Sequence, residues 1–250
     1  MSAFWVSLIA FVCLFGGALL GMLLNAYLPP NHQSADTQRI VNLGAGIIGT
    51  MAALVLGLLI ASAKESYDAQ NNELIAIAAK VSLIDRGLAL YGPDAQTSRD
   101  LLRRVIDNAV KRLWPKEHQS GDSFREGITP GQLYATIQML NPQSDIQRTI
   151  KAQALAMAIQ LAEQRQLILE QQNSSVSKPL LAILIFALAV NFLSFGLFAP
   201  RNATVVAALC LCAMASAGAI FVMMELYHPF GGLIEIPSTT LRNALTQVGF

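Results

Sequence analysis

The chain has 250 residues, of which 54% are hydrophobic and only 13% charged, and its net charge is +1. A soluble domain carries about 25% charged residues, so this composition argues against an ordinary water-soluble globule. The near-neutral charge and the 7% aromatic content argue against a nucleic-acid partner, which would need a basic face or a stacking platform.

Mean hydropathy is +0.47, which makes the lipid bilayer the first expected partner. Charge is unevenly spread. The run from Lys64 to Lys178 holds 14 of the 17 Lys and Arg and 13 of the 16 Asp and Glu. Apolar flanks around a charged middle predict an all-α chain with four transmembrane helices and a helical cytosolic insert between spans two and three. The expected boundaries are a first hairpin over 1–63, an insert over 64–178, a second hairpin over 179–225 and a cytosolic tail over 226–250.

Span one is predicted from Phe4 to Leu24. Its twelve Leu, Ile, Phe and Val residues favour insertion by roughly 4 to 7 kcal/mol. No Lys or Arg precedes Phe4, and the stretch is longer than a signal-peptide core, so it reads as a retained span. Pro29-Pro30 ends any helix there.

Span two is predicted from Ile40 to Ala63 and contains no charge. Gly46, Thr50, Ala53 and Gly57 fall on one face, with Ala61 continuing it. Small residues at this spacing let helices approach closely, and they suit a pore wall where several copies converge. Met51, Leu54, Val55 and Leu58 flank that face and could supply a dewetting constriction. Asn42 lies near the start of the span. The run Gly44-Ala45-Gly46-Ile47-Ile48-Gly49 imitates a dinucleotide fingerprint, but no strand precedes it.

The insert reads as helical. Leu74, Ile77, Val81, Ile84, Leu88 and Tyr91 form a heptad stripe that continues span two, about 40 Å beyond the membrane at about 1.5 Å per residue, until Gly92-Pro93 stops it. A second helix is predicted over 94–114 with an apolar face at Leu101, Leu102, Val105, Ile106, Ala109, Val110 and Leu113. Residues 116–128 read as a loop. Thr129-Pro130 fits the start of a short helix holding Leu133, Tyr134, Ile137 and Leu140. Ser144-x-x-Gln147 is a capping-box pattern opening a last helix to about Ser174, with Ile146, Ile150, Met157, Leu161 and Ile168 as its inner stripe.

Span three is predicted from Leu180 to Phe198, opened by Pro179, and span four from Ala203 to Met224. Asn191 is the polar residue inside span three, with interhelical hydrogen bonding as its simplest use. Glu225 falls at the inner end of span four, where solvent is expected close by. The short outer loops carry only Arg39 and Arg201, so the charge balance predicts the insert and both termini on the cytosolic side.

Little here suggests catalysis. His32, His118 and His228 have no partner at metal-ligand spacing, and Cys210-x-Cys212 lacks the CxxC spacing, while Cys13 stands alone. No P-loop, G-x-S-x-G or H-E-x-x-H motif occurs. Neither a metal nor a cofactor is expected, and the chain does not read as an enzyme.

The exit of span four reads Glu225-Leu226-Tyr227-His228-Pro229-Phe230-Gly231-Gly232-Leu233-Ile234-Glu235-Ile236-Pro237. With its acidic residue and leucine, then Pro-Phe-x-Gly (Pro229, Phe230, Gly232), this segment resembles the signature of bacterial bestrophin-like membrane proteins. Tyr227-His228 stands where members of that family often carry an acidic and a basic residue. Two spans, a helical insert, two spans and a short tail agree with the family layout. The resemblance implies distant similarity to bestrophins, pentameric anion channels whose second span lines a hydrophobic neck. By position, the matching face includes Gly46, Thr50, Ala53 and Gly57. No clear counterpart of the bestrophin calcium clasp is present in the tail.

Two functions compete on these grounds. One is an oligomeric channel-like protein, a homo-oligomer passing a small inorganic ion through a pore lined by span two, with the cytosolic helices forming a vestibule. The other is a non-conducting membrane scaffold or sensor whose helical insert recruits a partner.

Overall fold

A computed structural model describes residues 2–27, 34–114, 130–172 and 178–247. Among these residues the chain is all helical, with no strand. The helices are α1 (Ala3–Asn25), α2 (Ala35–Tyr91), α3 (Gln96–Leu113), α4 (Pro130–Gln138), α5 (Asp145–Gln172), α6 (Lys178–Leu197), α7 (Ala203–Leu226) and α8 (Thr239–Gln247). Four of them, α1, α2, α6 and α7, contain stretches long and apolar enough to cross a membrane. The loop expected over 116–128 and the Thr129 cap lie outside the described residues.

The chain divides into two compact units, 1–67 with 175–227, and 68–174 with 228–250. In the first unit α1 packs on α6 and α7. The α1–α6 crossing is built from glycine. A Cβ on Gly17 would stand 3.0 Å from the carbonyl oxygen of Ala189. One on Gly21 would collide with the carbonyl of Leu193, and one on Gly196 with the carbonyl of Ala18. Apolar helices in lipid gain little by hiding from solvent, so close backbone contact between small residues holds them together. Ala10, Leu14 and Ala18 of α1, Leu184, Leu188 and Phe192 of α6, and Ala213, Ile220 and Met223 of α7 fill the core around the crossing. Arg201 donates to the carbonyl oxygen of Met22 at 3.0 Å, satisfying one of the open carbonyls in the last turn of α1.

Helix α2 starts at Ala35, earlier than the apolar pattern predicts. The reason is local: the Thr37 amide donates to Ser34 Oγ at 3.3 Å, an N-cap. At its other end Gly92 takes φ +115°, a conformation that favours glycine, and Pro93 follows.

In the second unit all six expected stripe residues of α2, from Leu74 to Tyr91, are buried. Asp85 is buried too, and Arg99 of α3 donates to it twice, Nε to Oδ1 at 2.8 Å and Nη2 to Oδ2 at 3.0 Å. The hydrogen bond to Asp85 raises the Arg99 pKa above its ordinary value, against the opposing effect of burial. The capping box at α5 forms with one change of partner. Gln147 N donates to Ser144 Oγ at 3.2 Å, but the Gln147 side-chain oxygen accepts from Gln143 N, at 2.7 Å, rather than from Ser144. Its amide nitrogen then donates to the carbonyl of Tyr91 at 2.9 Å, joining the start of α5 to the end of α2. Lys151 donates to the carbonyls of Gln138 and Leu140 and so closes α4.

On α4 Leu133, Ile137 and Leu140 are buried and Tyr134 is exposed. The stripe expected on α5 is corrected in part. On α5 Ile146 is exposed, and the buried line runs through Ala154, Ala158 and Leu161, because small residues bring this helix close to its neighbours. Ile168 lies outside the residues whose side chains are described.

Two stability outcomes follow. Gly21→Leu is expected to destabilise the detergent-solubilised protein by about 3 kcal/mol, the upper part of the overpacking range. Gly16→Ala, where a Cβ meets nothing, should hold or raise the thermal midpoint. Asp85→Ala is expected to cost about 3 to 5 kcal/mol by breaking the doubly hydrogen-bonded pair with Arg99. The pair Asp85→Leu with Arg99→Met should recover much of that loss, read by thermal unfolding.

Candidate functional site

The membrane-spanning part of α2 presents three faces. At about 100° per residue they fall on separate lines. Ala45, Ala52, Leu59 and Ala63 are buried and form the packed line. Gly49 sits on it too, directly against the Asn191 side chain of α6. The small line holds Gly46, Thr50, Ala53, Gly57 and Ala61, all exposed, and a Cβ on Gly46 or Gly57 would meet nothing. The large line holds Ile40, Ile47, Met51, Leu54 and Leu58, with Leu54 75% and Leu58 72% exposed. The small line lies about 120° from the packed line on one side and the large line about 150° on the other. Val55, expected beside the small face, is instead half-buried against the core.

Packing among the described residues therefore leaves Gly46, Thr50, Ala53 and Gly57 exposed. The Thr50 hydroxyl donates to the carbonyl of Ile47 at 2.8 Å, so it is satisfied within its own helix. Asn42 is exposed at the start of the helix, beside Gln38 and Arg39 in an open depression. Asn191 departs from expectation. It is 5% exposed, yet its Oδ1 has no hydrogen-bond partner. It fits the notch left by the missing side chain of Gly49 instead of bonding across helices.

Glu225 is also corrected. Helix α7 continues through Leu226, and Glu225 is 7% exposed, buried by the surrounding fold. The rest of the exit motif belongs to the second unit. The Phe230 ring meets Trp114 edge-on with centroids 5.4 Å apart. Trp114 Nε1 donates to the carbonyl of Ile236 at 2.8 Å. The Ile236 amide donates to the carbonyl of Pro229 at 2.7 Å, closing the turn that contains Gly232. The motif is thus a loop folded onto a buried tryptophan, and α8 then packs on α3. Sequence reading leaves Trp114 without a role. Its position just before Pro115, at a helix end, is the only local signal.

Among the described residues no group of three or more His, Cys, Asp or Glu is placed to hold a metal ion. Cys13, Cys210 and Cys212 are free thiols.

Comparison with known proteins gives a family match. A model of the bestrophin-like domain matches residues 12–241. The fold is similar to that of a point variant of a bacterial bestrophin homologue from Klebsiella pneumoniae, with a TM-score of 0.65 at 15% identity, covering 97% of this chain and 99% of that one. It is also similar to a solved structure described as a membrane protein, with a TM-score of 0.68 at 13% identity, covering 98% and 99%. At such identities these structures bear on the fold alone. Comparison with curated proteins finds no match.

Trp114→Phe should keep the ring contact and lose the bond to Ile236, at a net cost of about 1 kcal/mol. Trp114→Ala should cost about 3 to 5 kcal/mol. Limited proteolysis within 228–247 is expected to rise in that order.

Proposed function

The chain belongs to the bestrophin-like family, and from that premise we propose that it is a homo-oligomeric channel of the bacterial inner membrane, with α2 lining the pore. The single observation that carries the reading is the unused small line. Inside the first unit, this protein uses glycine to bring helices into backbone contact, at Gly17, Gly21 and Gly196. Gly46, Thr50, Ala53 and Gly57 offer α2 the same kind of surface, and it is exposed among the described residues. A second copy of α2 is the partner that fits.

The geometry of a ring then assigns the faces. Each α2 turns its packed line toward its own subunit and the opposite direction toward the axis. The large line lies within about 30° of that direction, so Ile47, Met51, Leu54 and Leu58 face the axis as a dry constriction. The small line lies to one side, about 60° away, where a neighbouring α2 approaches. Gly46, Thr50, Ala53 and Gly57 thus act as the contact that sets how narrow the ring becomes. Ions are the cargo that fits a passage of this kind. The family likeness implies small anions, and the cytosolic placement of both termini follows from the Lys and Arg balance.

A scaffold reading rests on a different observation. Met139, Leu90 and Ile146 of the second unit are apolar and 81%, 79% and 74% exposed, a surface that could recruit a partner protein.

Electrical recording decides between them. Purified oligomers in planar bilayers are expected to carry ion current. Gly57→Trp should suppress it by roughly tenfold or more, through lost helix contact, and Leu54→Ser should raise it by wetting the constriction. Silence from intact wild-type oligomers would favour the scaffold.

A further inference from the structure

Two exposed apolar side chains stand on the loop that follows α7. Leu233 is 80% and Ile234 38% exposed, while Phe230 and Ile236 on either side of them are buried. No charge occurs from Pro229 to Ile234; His228 and Glu235 flank that stretch. The loop is held at its feet. Gly231 N donates to the carbonyl of His228 at 3.3 Å, and Ile236 N donates to the carbonyl of Pro229. Trp114 fixes the base through its bond to Ile236 and its ring contact with Phe230. Leu233 and Ile234 are thus presented at the tip of a closed turn.

We propose that this turn is a membrane-surface anchor, with Leu233 and Ile234 inserting among the lipids at the bilayer face where α7 ends. Connectivity supplies the reason. Helix α7, one of the four apolar enough to cross a membrane, ends at Leu226. Leu233 follows it so closely in sequence that the intervening chain spans at most about 25 Å when fully extended. The turn bonds shorten that reach, so the apolar tip stays near the interface. An even number of crossings puts the start of α1 on the same face. There Phe4 and Trp5 are exposed, and aromatic side chains of this kind favour the headgroup level. Size decides between lipid and protein as the occupant. A specific protein interface takes about 800 Å² from each partner, far more than two side chains offer. Lipid sets no such threshold, because the spans already hold the chain at the bilayer and each further buried apolar group adds to that hold. The uncharged tip makes the attraction hydrophobic and indifferent to headgroup charge. A turn fixed before it meets lipid also loses little freedom on inserting. The anchor is independent of whether the chain conducts ions.

The test uses the full-length protein with Cys13, Cys210 and Cys212 replaced by alanine. Glu235→Cys, at an exposed position beside the tip, carries a nitrobenzoxadiazole fluorophore. The protein is reconstituted in phosphatidylcholine vesicles with and without a lipid bearing a nitroxide near its headgroup. The nitroxide lipid is expected to quench this probe several-fold more than the same probe at Met139→Cys, an exposed site in the insert. Adding Leu233→Ser and Ile234→Ser should lower the quenching to the Met139→Cys level. Replacing part of the lipid by phosphatidylglycerol should leave it unchanged. Size-exclusion profiles matching wild type establish that each variant folds. A Glu235→Cys probe quenched no more than the Met139→Cys probe, and equally open to iodide, places the turn in water and overturns the proposal. A probe shielded from both nitroxide lipid and iodide places the turn against protein and overturns it as well. Quenching that survives the two serines, or that appears only with phosphatidylglycerol, removes Leu233 and Ile234 as a hydrophobic anchor.

Discussion

A bilayer removes the force that normally assembles a protein core. Lipid tails are as apolar as leucine, so one membrane helix gains nothing by hiding its side chains against another. What remains is dispersion between surfaces that fit, and the fit improves when backbones come close. In the first unit that constraint is met at the α1–α6 crossing, where Gly17, Gly21 and Gly196 admit the opposite backbone. The second unit obeys ordinary aqueous rules. Its helices bury Leu74, Ile84, Leu102, Leu133 and Ile137, and the buried Asp85 carboxylate is doubly bonded to Arg99.

The same contrast explains what the sequence made legible. Span limits depend on which solvent a residue tolerates, and solvent preference is written in composition. The presence of four apolar spans was therefore readable, and so were the stops at Gly92 and Pro93. Faces within a span were harder. Polar and apolar no longer distinguish inside from outside in lipid, so Leu54 and Leu188 look alike in sequence, yet one is exposed and the other buried. Residue size is the surviving signal. The pair Gly17-x-x-x-Gly21 carried it plainly. The longer small-residue line in α2 carried the same signal, but with no partner among the described residues.

Other features were illegible for reasons of distance. The exit motif was recognisable from Glu225, Pro229, Phe230 and Gly232, but not the reason for its shape. Phe230 and the carbonyl of Ile236 both meet Trp114, which lies on the far side of two membrane spans in sequence. The Gln147 contact with Tyr91 is equally remote. Glu225 misled because helix length was judged from hydropathy, whereas burial there depends on the surrounding fold. Asn191 misled in the opposite way. An amide in a membrane helix suggests a hydrogen bond, but its oxygen has none, and shape against Gly49 accounts for its place. An unpaired amide oxygen in a dry interior costs about 1 to 3 kcal/mol.

Exposure of leucine says little in a membrane, since lipid would cover Leu54 or Leu58 without penalty. Exposure of glycine says more. Each glycine weakens a helix by roughly 0.5 to 1 kcal/mol relative to alanine, and against lipid it returns nothing, because a fluid solvent fills a dent as readily as it coats a ridge. Gly17, Gly21 and Gly196 recover that cost through close contact. Gly46 and Gly57 are exposed and touch nothing, on a line they share with Thr50 and Ala53. A rigid neighbour is the environment in which such a line becomes favourable. The regular spacing of the line, on a helix whose opposite flank is already packed, points to another helix as that neighbour. A copy of α2 related by rotation would then bring the adjoining large residues together around a common axis.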